Sequence, residues 1–260
     1  MADHGTPRTV PEFVSFLAGS GVAAGGTLLV HASLSGIGMT PADVLTALRA
    51  VLGAQGTLVV PAFTPENSDT SQAYLERTAH MSPAEREADR AAMKPFDPRT
   101  TPCPAMGALA EHVRCAPDAY RSAHPQSSFA AVGARAAQLM DGHDPECHLG
   151  ERSPLGKLYE EDAQVLLLRA DFGQCSAFHL AEYRARPHPP TRSYRCVAGS
   201  PGRWVTYRDV VLDDSDFTAI GSRMQGRLVT RRVLRGRPVS LFGLRDAVDH
   251  ACKDMLAHRR

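Results

Sequence analysis

Short continuous apolar runs alternate with amphipathic stretches along this chain, and that alternation predicts strands interleaved with helices. Val10 to Ala18 carries apolar residues at helical spacing, with Thr9 or a neighbour as its cap and Gly19 past its end. Thr27-Leu28-Leu29-Val30-His31 has the length and composition of a buried strand, and a turn at Ser35-Gly36-Ile37-Gly38 follows. Thr40-Pro41-Ala42-Asp43 then opens a helix through Val44, Leu45, Leu48, Val51 and Leu52, with proline just inside its start. Gly53 and Gly56 punctuate its end, and Thr57-Leu58-Val59-Val60 is a second buried strand. Strand, helix and strand at this spacing predict a βαβ unit with a right-handed crossover.

Residues 64–103 break the rhythm: they are polar, with one exposed helix expected within Met81 to Met93, and read as functional cover or a flexible insertion. Beyond them the pattern predicts helices at Gly107 to Val113, Ala134 to Met140 and Leu155 to Glu160, and strands at Ser128 to Val132 and Val165 to Leu168. A helix within Cys175 to Arg186, an alternating strand at Trp204 to Leu212 and a closing helix at Leu244 to Ala257 complete the chain. The class is α/β, in one domain spanning 1–260, without internal repeats.

Composition agrees with a single large core, since 43% of the 260 residues are hydrophobic and 22% charged. A net charge of +1, with basic residues dispersed, argues against nucleic acid as a partner. The densest basic run, Thr230 to Arg237, reads as a solvated face, with phosphate contact by one or two of its arginines left open. No stretch reaches the roughly 20 apolar residues that span a bilayer, and Met1 to Gly5 shows no signal-peptide core, so a cytosolic protein without a membrane partner is expected. The 6 cysteines form no C-x-x-C pair and are expected to be reduced thiols. Cys147, His148 and His143 lie close together but lack a recurrent ligand spacing, and no metal is expected.

Candidate chemistry concentrates in Phe178-His179-Leu180-Ala181-Glu182-Tyr183, a short loop beyond the Val165 to Leu168 strand. On a helix His179 and Glu182 share a face at i,i+3. Such a pair is either a base oriented by a carboxylate or an ordinary helix histidine beside a surface glutamate.

Seven blocks in one order carry a resemblance that decides between these readings. They are Val30-His31-Ala32-Ser33-Leu34-Ser35-x-Ile37-Gly38, Gly56-Thr57-Leu58-Val59-Val60-Pro61, Phe96-Asp97-Pro98, Met106-Gly107-x-Leu109-Ala110-Glu111, Arg121-Ser122-x-His124-Pro125-x-x-Ser128-Phe129-Ala130-Ala131, Leu149-Gly150-Glu151-x-Ser153-Pro154-Leu155 and Phe178-His179-Leu180-Ala181-Glu182. Together they resemble the aminoglycoside 3-N-acetyltransferase family, the antibiotic N-acetyltransferases. The resemblance implies an α/β domain with a mixed central sheet flanked by helices, unlike the GNAT fold. It also implies acetyl transfer from acetyl-CoA to an amine, in the family's case the 3-amino group of 2-deoxystreptamine. No Walker loop, dinucleotide fingerprint or Gly-x-Ser-x-Gly elbow competes with it.

An ammonium group must lose a proton before it attacks a thioester, and the resemblance makes His179 the general base, with Glu182 or a carboxylate brought in from elsewhere to orient it. His31, Ala32, Ser33, Leu34 and Ser35 follow a strand end, where ligands bind in open α/β sheets, and are expected to hold the coenzyme. Arg121, Ser122, His124, Ser128 and Phe129 form a second expected coenzyme group, with Arg121 toward phosphate. A polycationic acceptor needs carboxylates, for which Glu66 and Asp69 lead, with Asp97, Glu151 and His148 as further candidates that bracing roles would equally explain. Cys175 leaves open a ping-pong route through an acetylated thiol. The chain departs from the family at Arg169, where glycine is usual, at Asp171, and at Arg152, where a small or acidic residue is usual before Ser153. These changes suggest another amine-containing natural product as acceptor, in biosynthesis or self-resistance. A different acyl-chemistry enzyme, a non-catalytic antibiotic-binding protein, and a monomer or a homodimer also stay open.

Overall fold

A computed structural model describes residues 7–259; Met1 to Gly5, the segment without a signal-peptide core, lies outside the described residues. In chain order the fold runs α1 (Val10–Ser20), β1 (Thr27–Ala32), α2 (Pro41–Leu52), β2 (Thr57–Pro61), α3 (Gln72–Thr78), α4 (Pro83–Ala92), α5 (Gly107–Arg114), β3 (Tyr120–Arg121), β4 (Phe129–Gly133), α6 (Ala136–Met140) and α7 (Pro154–Glu160). It continues with β5 (Gln164–Leu168), α8 (Ala177–Arg184), β6 (Thr191–Val197), β7 (Trp204–Val210), α9 (Phe217–Ser222), β8 (Val229–Leu234), β9 (Arg237–Gly243) and α10 (Leu244–His258). Helix starts follow local chemistry: Thr9 with Glu12, Thr40 with Asp43 and Ser82 with Glu85 each form a capping box.

Seven strands form one sheet in the order β3-β4-β2-β1-β5-β9-β8. β1 pairs in parallel with β2 and β5, whereas β4 and β9 run antiparallel to their inner neighbours, so the sheet is mixed as the resemblance implied. The alternation of buried strands explains the layering. Leu29, Val59, Ala131, Val165 and Leu167 join a core with α8 and α10, while Leu28, Val30, Leu58, Val60, Ala130, Val132, Leu166 and Leu168 join a second core with α1 and α2. Helices therefore cover both faces. The carboxyl ends of the parallel strands β1, β2 and β5 open at one edge, where a ligand crevice is expected.

Residues 64–103 hold two helices, α3 and α4, rather than the one expected. Tyr74 and Met93 from this excursion pack with Val197 and Trp204 of a separate β6–β7 ribbon. The ribbon's first strand escaped the sequence pattern because its outward residues are exposed and its burial begins only at Tyr194. The basic run also proved to be structured. Arg231 and Arg232 lie on β8, an edge strand, and Arg235-Gly236 form the two-residue turn into β9 with positive φ of 47° and 72°. Charged side chains on such an edge discourage pairing with another sheet.

Candidate active site

The chain crosses from β5 to α8 through a tight loop. Asp171 Oδ1 accepts a hydrogen bond from the Gly173 amide at 2.8 Å, which turns the backbone back toward the crevice. Ser176 and the first turn of α8 then face the ends of β1 and β2 across a cavity of about 250 Å³, lined among others by His31, Ala32, Pro61, Phe63, Met106, Ser176, His179, Asp214 and Phe217.

His179 reaches this cavity from α8. Its Nδ1 lies 2.7 Å from Glu182 Oε2, and its ring meets the Phe217 ring edge-on at 4.7 Å. Because Nδ1 is engaged by the carboxylate, Nε2 is the nitrogen available for proton transfer. Glu182 is itself held on the other side: Oε1 accepts from the Asp213 amide at 2.9 Å and from an Arg259 nitrogen at 2.6 Å. Its side chain is only 3% exposed, so nearly all its lone pairs are answered by protein donors. Arg259 also reaches Asp216 at 2.8 Å, fixing the 213–216 loop against the end of α10.

His31 closes the inner wall. Its Nε2 sits 3.2 Å from Ser176 Oγ, and burial, reinforced by the nearby His179, lowers its pKa to about 4. It is therefore a neutral hydrogen-bonding ring at neutral pH. Ala32 lines the cavity, and the loop beyond it leads outward: the Ser33 amide bonds Leu168 O at 2.9 Å and the Ser35 carbonyl accepts from Arg169 at 2.6 Å. Leu34 is partly buried against the second core. Cys175 is fully buried, and that burial pushes its thiol up to about 12.

The second expected coenzyme group lies elsewhere. Arg121 spends its guanidinium on Ser128 Oγ at 3.0 Å, Ala62 O at 2.6 Å and Thr101 O, and burial lowers its pKa to about 10. Ser128 Oγ donates to Ala62 O at 2.7 Å. Ser122 Oγ accepts from the Phe129 amide at 2.9 Å, and Phe129 is fully buried against Phe63. His124 accepts from the Ser127 amide at 3.1 Å and stacks on His143, with ring centroids 4.8 Å apart. None of these five residues lines the cavity.

The expected carboxylates are similarly dispersed. Glu66 is exposed on a turn, while Asp69 meets Arg195 at 3.2 Å. Asp97 accepts from the Arg99 amide at 2.8 Å and braces its own turn. Glu151 is gripped by Arg184 through two contacts of 2.5 and 2.8 Å. His148 lies 2.9 Å from Asp209, which also accepts from the Tyr183 hydroxyl at 2.7 Å, in a buried polar cluster behind the cavity. Burial lowers the pKa of His148, and although burial opposes it, the hydrogen bonds from His148 and Tyr183 hold Asp209 below the usual carboxylate range. Asp214 is the carboxylate found among the described lining residues. Its run, Asp213-Asp214-Ser215-Asp216, was the available sequence signal, but nothing local tied it to α8.

Comparison with known proteins follows the same lines. The profile of the aminoglycoside 3-N-acetyltransferase family matches residues 29–256. The aminoglycoside N(3′)-acetyltransferase-like protein YokD of Bacillus subtilis is 32% identical over 95% of this chain and 92% of its own length. Its crystal structure superposes with a TM-score of 0.87, at 32% identity, covering 98% of this chain and 95% of that one. Aminoglycoside N(3)-acetyltransferase VIII of Streptomyces fradiae is 37% identical over 79% of this chain and 72% of its own. AAC-IIIb, solved as a binary complex with CoASH, gives a TM-score of 0.80 at 25% identity, covering 95% of this chain and 96% of that one. With the profile spanning most of the fold and the His179–Glu182 pair at its crevice, the chain belongs to the aminoglycoside 3-N-acetyltransferase family and is an acyltransferase.

Proposed function

We propose that this protein moves the acetyl group of acetyl-CoA to an amine of an aminoglycoside, the 3-amino group of 2-deoxystreptamine, by direct attack. The observation that carries the reading is the His179–Glu182 contact of 2.7 Å at the edge of a cavity bounded by the strand ends. His179 Nε2 takes a proton from the acceptor amine as its nitrogen bonds to the thioester carbon. Glu182 stabilises the imidazolium so formed. The tetrahedral oxyanion accepts hydrogen bonds from groups at the strand-to-loop turns, then collapses with cleavage of the carbon–sulfur bond. The departing thiolate recovers the proton from His179, leaving the amide and CoASH.

The CoASH complex of AAC-IIIb supports the coenzyme assignment. His31 and Ala32 line the cavity and Ser33 to Ser35 lead from it, so this segment is proposed to hold the coenzyme. Arg121, Ser122, Ser128 and Phe129 are assigned a bracing role behind it, because the polar side-chain atoms among them are engaged within the protein, and His124 joins them through Nδ1, which meets Ser127, while its buried Nε2 has no partner. A thiol at about 12 is protonated at neutral pH, which argues against a route through Cys175.

One observation favours a second acceptor class. With Asp214 the carboxylate among the described lining residues, the cavity matches a less cationic amine-bearing natural product as readily as a polycationic sugar. The test is CoASH release from acetyl-CoA against a panel of aminoglycosides and other amines, with His179→Ala alongside. Amine-dependent release that His179→Ala abolishes, with coenzyme binding intact, is expected. Release without an amine identifies a thioesterase, and antibiotic binding without turnover identifies a sequestering protein; either overturns the reading.

A further inference from the structure

Three arginines converge on the loop that leads out of the cavity. Arg237, at the start of β9, places a guanidinium nitrogen 3.2 Å from Ser33 Oγ. Arg169, just past β5, donates to Ser35 O at 2.6 Å and passes 3.7 Å from where a Cβ on Gly36 would stand. Arg235, in the β8–β9 turn, lies 3.0 Å from the same position on Gly38. Successive points of one serine- and glycine-bearing loop thus each meet a cation, two from the β8–β9 hairpin and one from the end of β5.

Nothing of opposite charge answers them: among the described residues none of the three forms an ion pair. Arg169 is only 5% exposed, its Nε is buried without a partner, and its backbone holds a positive φ of 57°. A long side chain kept in the left-handed region, where glycine is the natural occupant, carries conformational strain. Clustering three uncompensated cations adds repulsion. Both costs are offset if a multiply charged anion occupies the loop, and guanidinium groups beside hydroxyls suit phosphate oxygens.

We propose that Arg169, Arg235 and Arg237 form a clamp over Ser33 to Gly38 that binds the phosphates of coenzyme A and fixes the thioester end in the His179 cavity. This rests on the coenzyme assignment above. It gives Arg169 a role in coenzyme affinity rather than in the choice of acceptor.

The test is titration calorimetry of the full chain with coenzyme A and with 3′-dephospho-coenzyme A, alongside turnover of a short acetyl thioester that lacks the nucleotide. Arg235→Ala, Arg237→Ala and Arg169→Gly are compared, the last because glycine accepts the observed φ at position 169, although the hydrogen bond to Ser35 O is lost with the side chain. Each variant is expected to weaken coenzyme A about tenfold and to slow turnover of the short thioester by no more than about threefold. A loss confined to coenzyme A assigns the clamp to the 3′-phosphate, and an equal loss for both ligands assigns it to the diphosphate. Wild-type affinity in all three variants overturns the clamp while leaving the coenzyme assignment intact. Failure of the wild-type chain to bind coenzyme A overturns that assignment and the clamp with it.

Discussion

Replacing Glu182 by glutamine tests the catalytic assignment most directly, because it removes one charge while keeping size and an acceptor oxygen. In the wild-type chain Nδ1 and Oε2 are 2.7 Å apart and the two side chains are 13% and 3% exposed, so solvent screens the pair little. With charge centres roughly 4 Å apart and an effective dielectric of about 20, the carboxylate stabilises the imidazolium by about 4 kcal/mol. That charge develops only as the amine attacks, so the loss falls on the transition state. A neutral acceptor recovers part of it, and kcat is expected to fall about 10²- to 10³-fold. KM for acetyl-CoA should stay within about threefold, since Glu182 does not line the cavity. The assay is thiol release from acetyl-CoA at saturating acceptor, with thermal melting as a control for folding. Arg259 keeps its Asp216 contacts in the variant, so a destabilisation of no more than about 1–3 kcal/mol is expected. A folded Glu182→Gln protein with kcat within threefold of wild type would refute the role of the pair.

Cys175→Ser should retain activity within about threefold, because a buried thiol at about 12 supplies no thiolate at neutral pH; loss of turnover in a folded variant would restore the ping-pong route. Asp214→Asn should raise KM for a cationic acceptor about two- to fivefold, less so in high salt, with KM for acetyl-CoA unchanged; an unaltered acceptor KM would remove Asp214 from recognition. Acid should destabilise the fold. His31 titrates at about 4 in the folded chain against 6.5 when unfolded, so between these values the unfolded chain binds more protons and stability falls as pH drops. The loss from His31 alone is roughly 3 kcal/mol, and the buried His124, His143 and His148, whose pKa values are also lowered, act in the same direction. Urea midpoints measured between pH 7.5 and 4.5 check it; a constant or rising midpoint contradicts the burial of neutral imidazoles.

Residue periodicity alone determined the strands that build the centre of the sheet and the pairing of His179 with Glu182 on one helix face, because both are set by neighbours within a few positions. The ordered motifs added the family. Periodicity could not reveal what packs against Glu182 and the β1 loop, since those partners are distant in the chain: Arg259 reaches Glu182 across 77 positions, and Arg237 reaches Ser33 across 204. Nor could it place the carboxylates. Glu66 and Asp69 follow a strand that ends at the cavity without being among its lining residues, while Asp214, which follows the β6–β7 ribbon in the chain, is among them. Strand order is decided by how whole faces bury against one another, and it brings Arg235 in the β8–β9 turn and Arg237 at the start of β9 beside the β1 loop. That juxtaposition, invisible in a linear reading, brought part of a basic run and the departure at Arg169 together on the one loop that leads from the cavity.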